Sequence, residues 1–163
     1  MNTVTLNKIV KSHAGLGSLA LRVPVGIILA AHGSQKLFGW LGGYGLAGTG
    51  QWMASIGLEP GYLMAQLAGS AEFFGGLALI FGFFTRPAAA VSAFTMLVAI
   101  FSVHIDHGLF VSNNGYEFAL SLFAATLALA IQGGGSLSID NTLSAVFERR
   151  ELNRAHNLAA KAL

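Results

Sequence analysis

Seven titratable side chains in this sequence stand in or beside stretches otherwise too apolar to hold them. His32 and Lys36 are four residues apart and so share one face of any helix, with Gln35 on its border. Glu72 falls about ten residues into a long apolar run. His104, Asp106 and His107 close the next run, and Asn113, Asn114, Tyr116 and Glu117 open the last. A charge at the middle of a bilayer costs roughly 2.5–3.5 kcal/mol on insertion scales, so each such group needs a snorkelling route, a partner or a polar cavity. Glu72 has no short snorkelling route, so it must be protonated, paired or facing a cavity.

Brought to one depth, these groups suit four kinds of chemistry. A quinone or quinol head wants hydrogen-bond donors such as His or Lys, and a carboxylate or His to handle its protons. Neighbouring Phe, Leu and Met would accept an isoprenoid tail. A metal would draw on His104, Asp106, His107, His32 and Glu117, but His104 and His107 are a lone i,i+3 pair in no metal-binding motif, and no metal is assigned. A b-type haem would need His32 and His104 from two helices. The fourth reading is a network of hydrogen bonds between helices with no ligand, at roughly 0.6 kcal/mol per interaction. Glu72 and Glu117 are the proton-handling candidates. His32, Gln35, Lys36, His104, Asp106 and His107 are the ligand-binding candidates, in one outer-half pocket with Glu72 beneath. The cofactor itself stays open between quinone and the other readings.

The elements that must position these groups are membrane-spanning helices. Of 163 residues, 54% are hydrophobic and only 10% charged, against roughly 25% charged in a soluble domain. The mean hydropathy is +0.65. A span needs about 20 apolar residues, and four stretches approach or exceed this: Leu19–Phe38, Tyr62–Phe84, Ala88–Phe110 and Tyr116–Ile131. Open strands cannot satisfy their backbone in lipid, and no alternation of period two suggests a barrel. The expected fold is therefore an all-α membrane protein, a bundle of four transmembrane helices over residues 19–135. A segment 1–18 precedes it, and a tail, 136–163, is expected to form a short amphipathic helix. The start lacks a clear cleavage site and reads as a retained first span.

The connections carry further information. Thr85-Arg86-Pro87 is a tight turn, with proline in the first turn of the following helix. The Gly39–Gly61 link holds both Trp40 and Trp52, which prefer the interface, and Thr49–Ile56 suits a short interfacial helix. Gly133-Gly134-Gly135 ends the fourth span, and Asp140 or Asn141 is expected to cap the last helix. In the tail, Leu143, Val146, Phe147, Ala155, Leu158 and Ala162 fall at roughly helical spacing among basic residues. That suits a helix lying on a membrane or a partner, or a solvated tail. Lys8, Lys11, Arg22, Arg86, Arg149, Arg150, Arg154 and Lys161 fall on the side of the termini and Lys36 alone on the other. That bias places both termini in the cytoplasm. Arg22 reads as a snorkelling anchor and Arg86 as a staple of the turn.

Several classes are excluded. No cysteine is present, which removes disulfides, thiolate nucleophiles and Cys-ligated clusters. The net charge of +2 forms no face for nucleic acid. The glycine runs follow no strand and lack a Walker ending. Gly26, Gly33, Gly69, Gly75, Gly76 and Gly82 read instead as sites of close helix approach.

Four blocks in order carry a family likeness. They are Leu21-Arg22 with His32-Gly33-Ser34-Gln35-Lys36-Leu37-Phe38-Gly39; Glu72-Phe73-Phe74-Gly75-Gly76 leading to Gly82-Phe83-Phe84-Thr85-Arg86-Pro87; Gly115-Tyr116-Glu117-Phe118; and Gly133-Gly134-Gly135-Ser136-Leu137-Ser138-Ile139-Asp140. With them the chain resembles the DoxX family of small bacterial inner-membrane proteins. The resemblance implies four spans and carries over Arg22, His32, Gln35, Lys36, Glu72, Arg86, Glu117 and Asp140. It also implies a redox-associated subunit linked to quinone chemistry or to oxidative stress. Two alternatives stand beside that: a membrane scaffold that recruits a soluble oxidoreductase, and a small proton-coupled transporter. The lipid bilayer is the one partner expected outright, and a homo-oligomer is left open.

Overall fold

The computed structural model describes residues 3–161, without the side chains of residues 3–5, Lys8, His156 and Lys161. The parts of the charge bias and apolar stripe that rest on Lys8, Lys161 and Ala162 lie outside that description. Among the described residues seven α-helices follow one another: α1 Thr3–Val10, α2 Gly15–Phe38, α3 Gly45–Ser55, α4 Gly61–Phe81, α5 Thr85–Ala99, α6 Glu117–Gln132 and α7 Ile139–Lys161. No strand occurs among the described residues. By length and composition α2, α4 and α5 with its continuation to His107 can cross a membrane, and α6 is a shorter apolar helix. The chain is an all-α membrane protein. Its bulky side chains turn outward, Phe74, Phe94 and Phe101 among them, as lipid-facing residues do. Its core is a thin column of Val25, Leu29, Leu79, Ala89, Met96, Leu122 and Leu129.

Small residues decide how the bundle closes, because helices in lipid gain by close van der Waals approach. Gly26 and Gly33 of α2 face Gly76 and Gly69 of α4, each pair of glycines one heptad apart. A Cβ on Gly26 would lie 2.6 Å from the Gly76 carbonyl oxygen, and one on Gly33 would collide with the Phe73 backbone. Gly75 faces α5 instead, where a Cβ would meet the Ser92 hydroxyl at 2.8 Å. Gly82 has φ +65 and ends α4 in a left-handed turn.

The end of the bundle where α1 meets the start of α7, called here the inner end, is closed by polar side chains aimed at helix ends. Arg22 is 1% exposed. It donates to the carbonyls of Leu79 (2.9 Å), Gly134 (3.1 Å), Leu137 (2.8 Å) and Ile80. Helix C-termini leave such carbonyls without intrahelical partners, and a planar five-donor guanidinium suits them. The snorkelling expected of Arg22 is therefore replaced by full burial. Arg86 does the same for α6, donating to Ala130 (3.2 Å), Gln132 (3.3 Å) and Ile131, and to Lys11 (3.4 Å). Asp140 is buried and accepts from the backbone N–H groups of Phe84 (2.7 Å) and Thr85 (2.8 Å). It thus caps α5, whereas α7 is capped by Ser138, whose hydroxyl accepts from the Asn141 N–H at 3.1 Å. The cap expected of Asp140 or Asn141 moves to Ser138 because Asp140 is needed across the bundle.

α7 is 23 residues long, longer than the short helix expected. Its first half packs on α1, where Ser144 donates to the Asn7 side chain (2.6 Å) and Lys11 pairs with Glu148 (2.7 Å). α3 begins four residues before Thr49 and packs against the start of α4. There a Cβ on Gly50 would sit 2.9 Å from the Tyr62 Cα.

Two measurements check this end of the molecule. Arg22→Met leaves buried carbonyls unpaired at about 1–3 kcal/mol each, so reversible unfolding in mixed micelles should lose several kcal/mol. Arg22→Lys should recover only part of that, since an ammonium cannot span the same carbonyls. The second concerns Glu148, whose carboxyl lies below its usual range through the hydrogen bond and charge of Lys11. A depressed carboxylate contributes fully above its unfolded value, about 4.3, and the contribution fades as pH falls through the lower folded value. Spin labels on His13→Cys and Glu151→Cys should then separate below about pH 4. Lys11→Met should loosen them at neutral pH. The change is small, because the pair is exposed.

Candidate functional site

The glycine seam fixes the register of the site. Lys36 follows Gly33 by three residues, and Glu72 follows Gly69 by three. Because the two helices run antiparallel, Lys36 lies one turn to the outer side of the Gly33 contact and Glu72 one turn to the inner side of Gly69, and the long lysine side chain reaches back along the seam to the carboxylate. Lys36 Nζ stands 2.5 Å from Glu72 Oε2. The Glu72 side chain is 5% exposed and that of Lys36 24%. The pair therefore has a wet side and a dry side.

α5 supplies the third group by an irregularity. Past Ala99 the helix widens into a π-turn, Ile100–His104, and then tightens into a 3₁₀ turn, Ile105–His107. A π-turn inserts a residue and re-aims the side chains beyond it, a device frequent at functional sites. Here it brings His104 to the cavities around Lys36 and Glu72. His104 Nδ1 lies 2.7 Å from the Asn114 carbonyl oxygen. A carbonyl only accepts, so Nδ1 carries the hydrogen, and Nε2 is left for other partners.

Beside the ion pair lies a cavity of about 460 Å³ whose polar lining includes Lys36, Glu72, Thr95, Ser102, His104 and Asn114. It runs into an apolar groove of about 320 Å³ between α4 and α5, lined by Met64, Leu67, Val91, Phe94 and Val98. The two share Met53, Leu58, Ala68, Thr95 and Val98. Together they make one cleft, polar at the ion pair and apolar toward the lipid-facing surface. On the other side of the pair is a pocket of about 110 Å³ with His32 at its exposed rim. The His32 ring is 6.0 Å from that of Phe118.

Four of the expected site residues thus come together: His32, Lys36, Glu72 and His104. The others part from them. Asp106 and His107 are exposed on the 3₁₀ turn and line none of these cavities. Glu117 turns to its own loop, where it accepts from the Val111 N–H at 2.6 Å. Gln35 donates to the Leu41 carbonyl (3.2 Å) and lines a separate outer chamber. The single pocket expected to take in all of them is therefore smaller. Thr95, Ser102 and Trp52 join it unforeseen; Thr95 and Ser102 stand one heptad apart, a spacing that could have pointed to them. Among the described residues, no three His, Asp or Glu side chains are grouped to hold a metal. A pocket of 110 Å³ between His32 and His104 is too small for a porphyrin.

A seam of glycines, helix ends closed by arginine and a buried ion pair beneath a cleft open to lipid define a small helical membrane protein with a site in one half of its bundle. The DoxX family model matches residues 17–105, and the chain belongs to that family. It is similar to the inner membrane protein YqjF of Escherichia coli, with 34% identity over 79% of this chain and 93% of that one. It is similar to CatD of Bacillus subtilis, which carries the provisional name of an oxidoreductase, at 34% identity over 77% and 85%. The inner membrane protein YphA of Escherichia coli is 34% identical over 75% and 86%. No solved structure matches the chain significantly.

Lys36→Met should be the most damaging single change at the site, because it strands a buried carboxylate at a cost of about 3–5 kcal/mol. The double variant Lys36→Met/Glu72→Leu should return most of that loss. Unfolding of the two in the same micelles measures the difference.

Proposed function

We propose that this protein is a redox-associated membrane subunit whose cleft binds a quinone or quinol. The observation that carries the reading is the continuity of the cleft, polar at Lys36, Glu72 and His104 and apolar along Leu67, Val91 and Phe94. A ligand that fits both ends is an amphiphile with a hydrogen-bonding head and a hydrocarbon tail. Each part of the cleft falls in the roughly 300–1,000 Å³ range of small-molecule sites. The Lys36 ammonium and the free nitrogen of His104 would hold the head group, and Glu72 would take or give its proton. Thr95 and Ser102 add hydroxyls at the same end. A bound quinone supplies the electron chemistry, which no side chain of this cysteine-free protein offers. CatD's name as an oxidoreductase and the inner-membrane names of YqjF and YphA support this reading. On it, the protein lies in a bacterial inner membrane, residues 19–135 form the membrane domain and both termini are cytoplasmic. Asp106, His107 and Glu117 have no role in the chemistry.

A second reading has its own observation. Beyond Glu148, the described side chains of α7 are all exposed, Arg150, Arg154, Leu152 and Leu158 among them. That length suits a scaffold that recruits an oxidoreductase. Deleting residues 149–163 should then abolish complex formation and leave quinone binding intact.

The binding reading is tested by purification in mild detergent with quinone measured by mass spectrometry, then titration with a short-tailed ubiquinone. Quinone should co-purify, and Glu72→Gln and Ala68→Trp should each weaken binding about tenfold or more, equivalent to 1.4 kcal/mol. A protein that carries no quinone and shows no saturable binding overturns the reading.

A further inference from the structure

The ion pair has a second neighbour that the cleft does not use. On the outer side of Lys36, between the end of α2 and α3, lies a chamber of about 750 Å³. Its lining includes Gln35, Tyr44, Thr49, Gln51 and Trp52, with Lys36 at its floor. Tyr44 and Gln51 are exposed, so the chamber opens to the α3 face. Lys36 is the one residue common to this chamber, the cleft and the small pocket of His32. Toward the opposite face the column below Glu72 is close-packed and mainly apolar, with the Ser92 and Thr126 hydroxyls buried in it. Leu29, Leu79 and Leu129 are wholly buried there, and the carbonyls beyond them are taken by Arg22 and Arg86.

We infer that Glu72 exchanges protons with water on the α3 face alone, by way of Lys36 and the chamber above it. The titratable groups beside Glu72 fit that direction, while on the inner side the hydroxyls of Ser92 and Thr126 are wholly buried and do not reach an open face. The charged or titratable side chains lining the cavities around Glu72 are Lys36 and His32 from α2 and His104 from the extension of α5; α3 and α6 add none. An ammonium has three donors. One meets Glu72, and the others are free for water in a chamber lined by amides and hydroxyls. The chamber and the groove thus divide the traffic: water and protons reach Lys36 from the α3 face, and the lipid-soluble ligand reaches Glu72 from the bilayer. This extends the quinone reading by giving its site a side, and the proton path stands whether the ligand is a quinone or another amphiphile.

The absence of cysteine makes the test clean. Single-cysteine proteins Gln51→Cys, Leu137→Cys and Lys36→Cys are placed in sealed vesicles and exposed to a membrane-impermeant methanethiosulfonate on one face at a time. Gln51→Cys and Leu137→Cys mark the two faces. Lys36→Cys should react from the Gln51 face at least tenfold faster than from the Leu137 face. The same variant in a Glu72→Gln background removes the stranded carboxylate, so the result does not depend on the folding of the single change. A pH step on the Gln51 face should alter the infrared carboxyl signal that Glu72→Gln removes, and a step on the other face should not. Reaction from the Leu137 face, or reaction only with a lipid-soluble maleimide, overturns the inference. No quinone enters these measurements, so their failure is distinct from failure of quinone binding.

Discussion

Where α2 crosses α4, backbone lies against backbone, and the site, the thin core and the outward-facing aromatics all depend on that contact. Each helix gives up two side chains, at Gly26 and Gly33 and at Gly69 and Gly76, and in return their axes come closer than side-chain packing allows. At that separation a lysine one turn outward of Gly33 can reach back along the antiparallel neighbour to a glutamate one turn inward of Gly69. Glu72 is held against a cation by that close approach together with the reach of the Lys36 side chain. The same approach leaves little room for core side chains, which is why the buried column is thin and the aromatic residues face outward.

The two ends of the bundle handle their polar groups in opposite ways. At the inner end the charged groups bond to backbone: buried Arg22 and half-buried Arg86 to carbonyls, buried Asp140 to the N–H groups of Phe84 and Thr85. Of the described polar side-chain atoms buried there, Thr85 Oγ1 and Arg86 Nε keep no partner. At the outer end the helices stop short or unwind, and side chains keep unused donors and acceptors beside cavities. Charged groups tied to backbone at one end, and an ion pair beside open cavities at the other, are the arrangement expected of a site built on a fixed frame.

Much of this architecture is legible in the sequence. The apolar runs mark the helices, and the cost of a mid-span carboxylate singles out Glu72 without help from its neighbours. The spacing of His32 and Lys36 puts them on a shared face. What escapes a reading of the sequence is whatever depends on distant chain. Arg22 looks like an anchor because its carbonyl partners lie 57 to 115 residues away, at the end of α4 and in the loop before α7, where no local pattern records them. The docking of α1 on α7 joins residues 137 apart. The π-turn escapes for a different reason. It carries neither proline nor glycine, so nothing in Ile100–His104 announces that the helix widens and that Asp106 and His107 are turned away from the site.

α6 has one more consequence. Its 16 residues reach about 24 Å at 1.5 Å per residue, while the hydrocarbon layer is about 30 Å thick. A wall that short is met by thinning of the bilayer, by snorkelling of flanking residues or by association, at fractions of a kcal/mol for each ångström of mismatch; thinning would leave a dent beside α6. The dent is local, since α2 and α4 are long enough to meet the full layer. A protein with one short wall deforms the membrane asymmetrically. Membrane thickness, set by lipid composition, becomes a force on the short wall, and two copies that brought their short walls together would share a single dent.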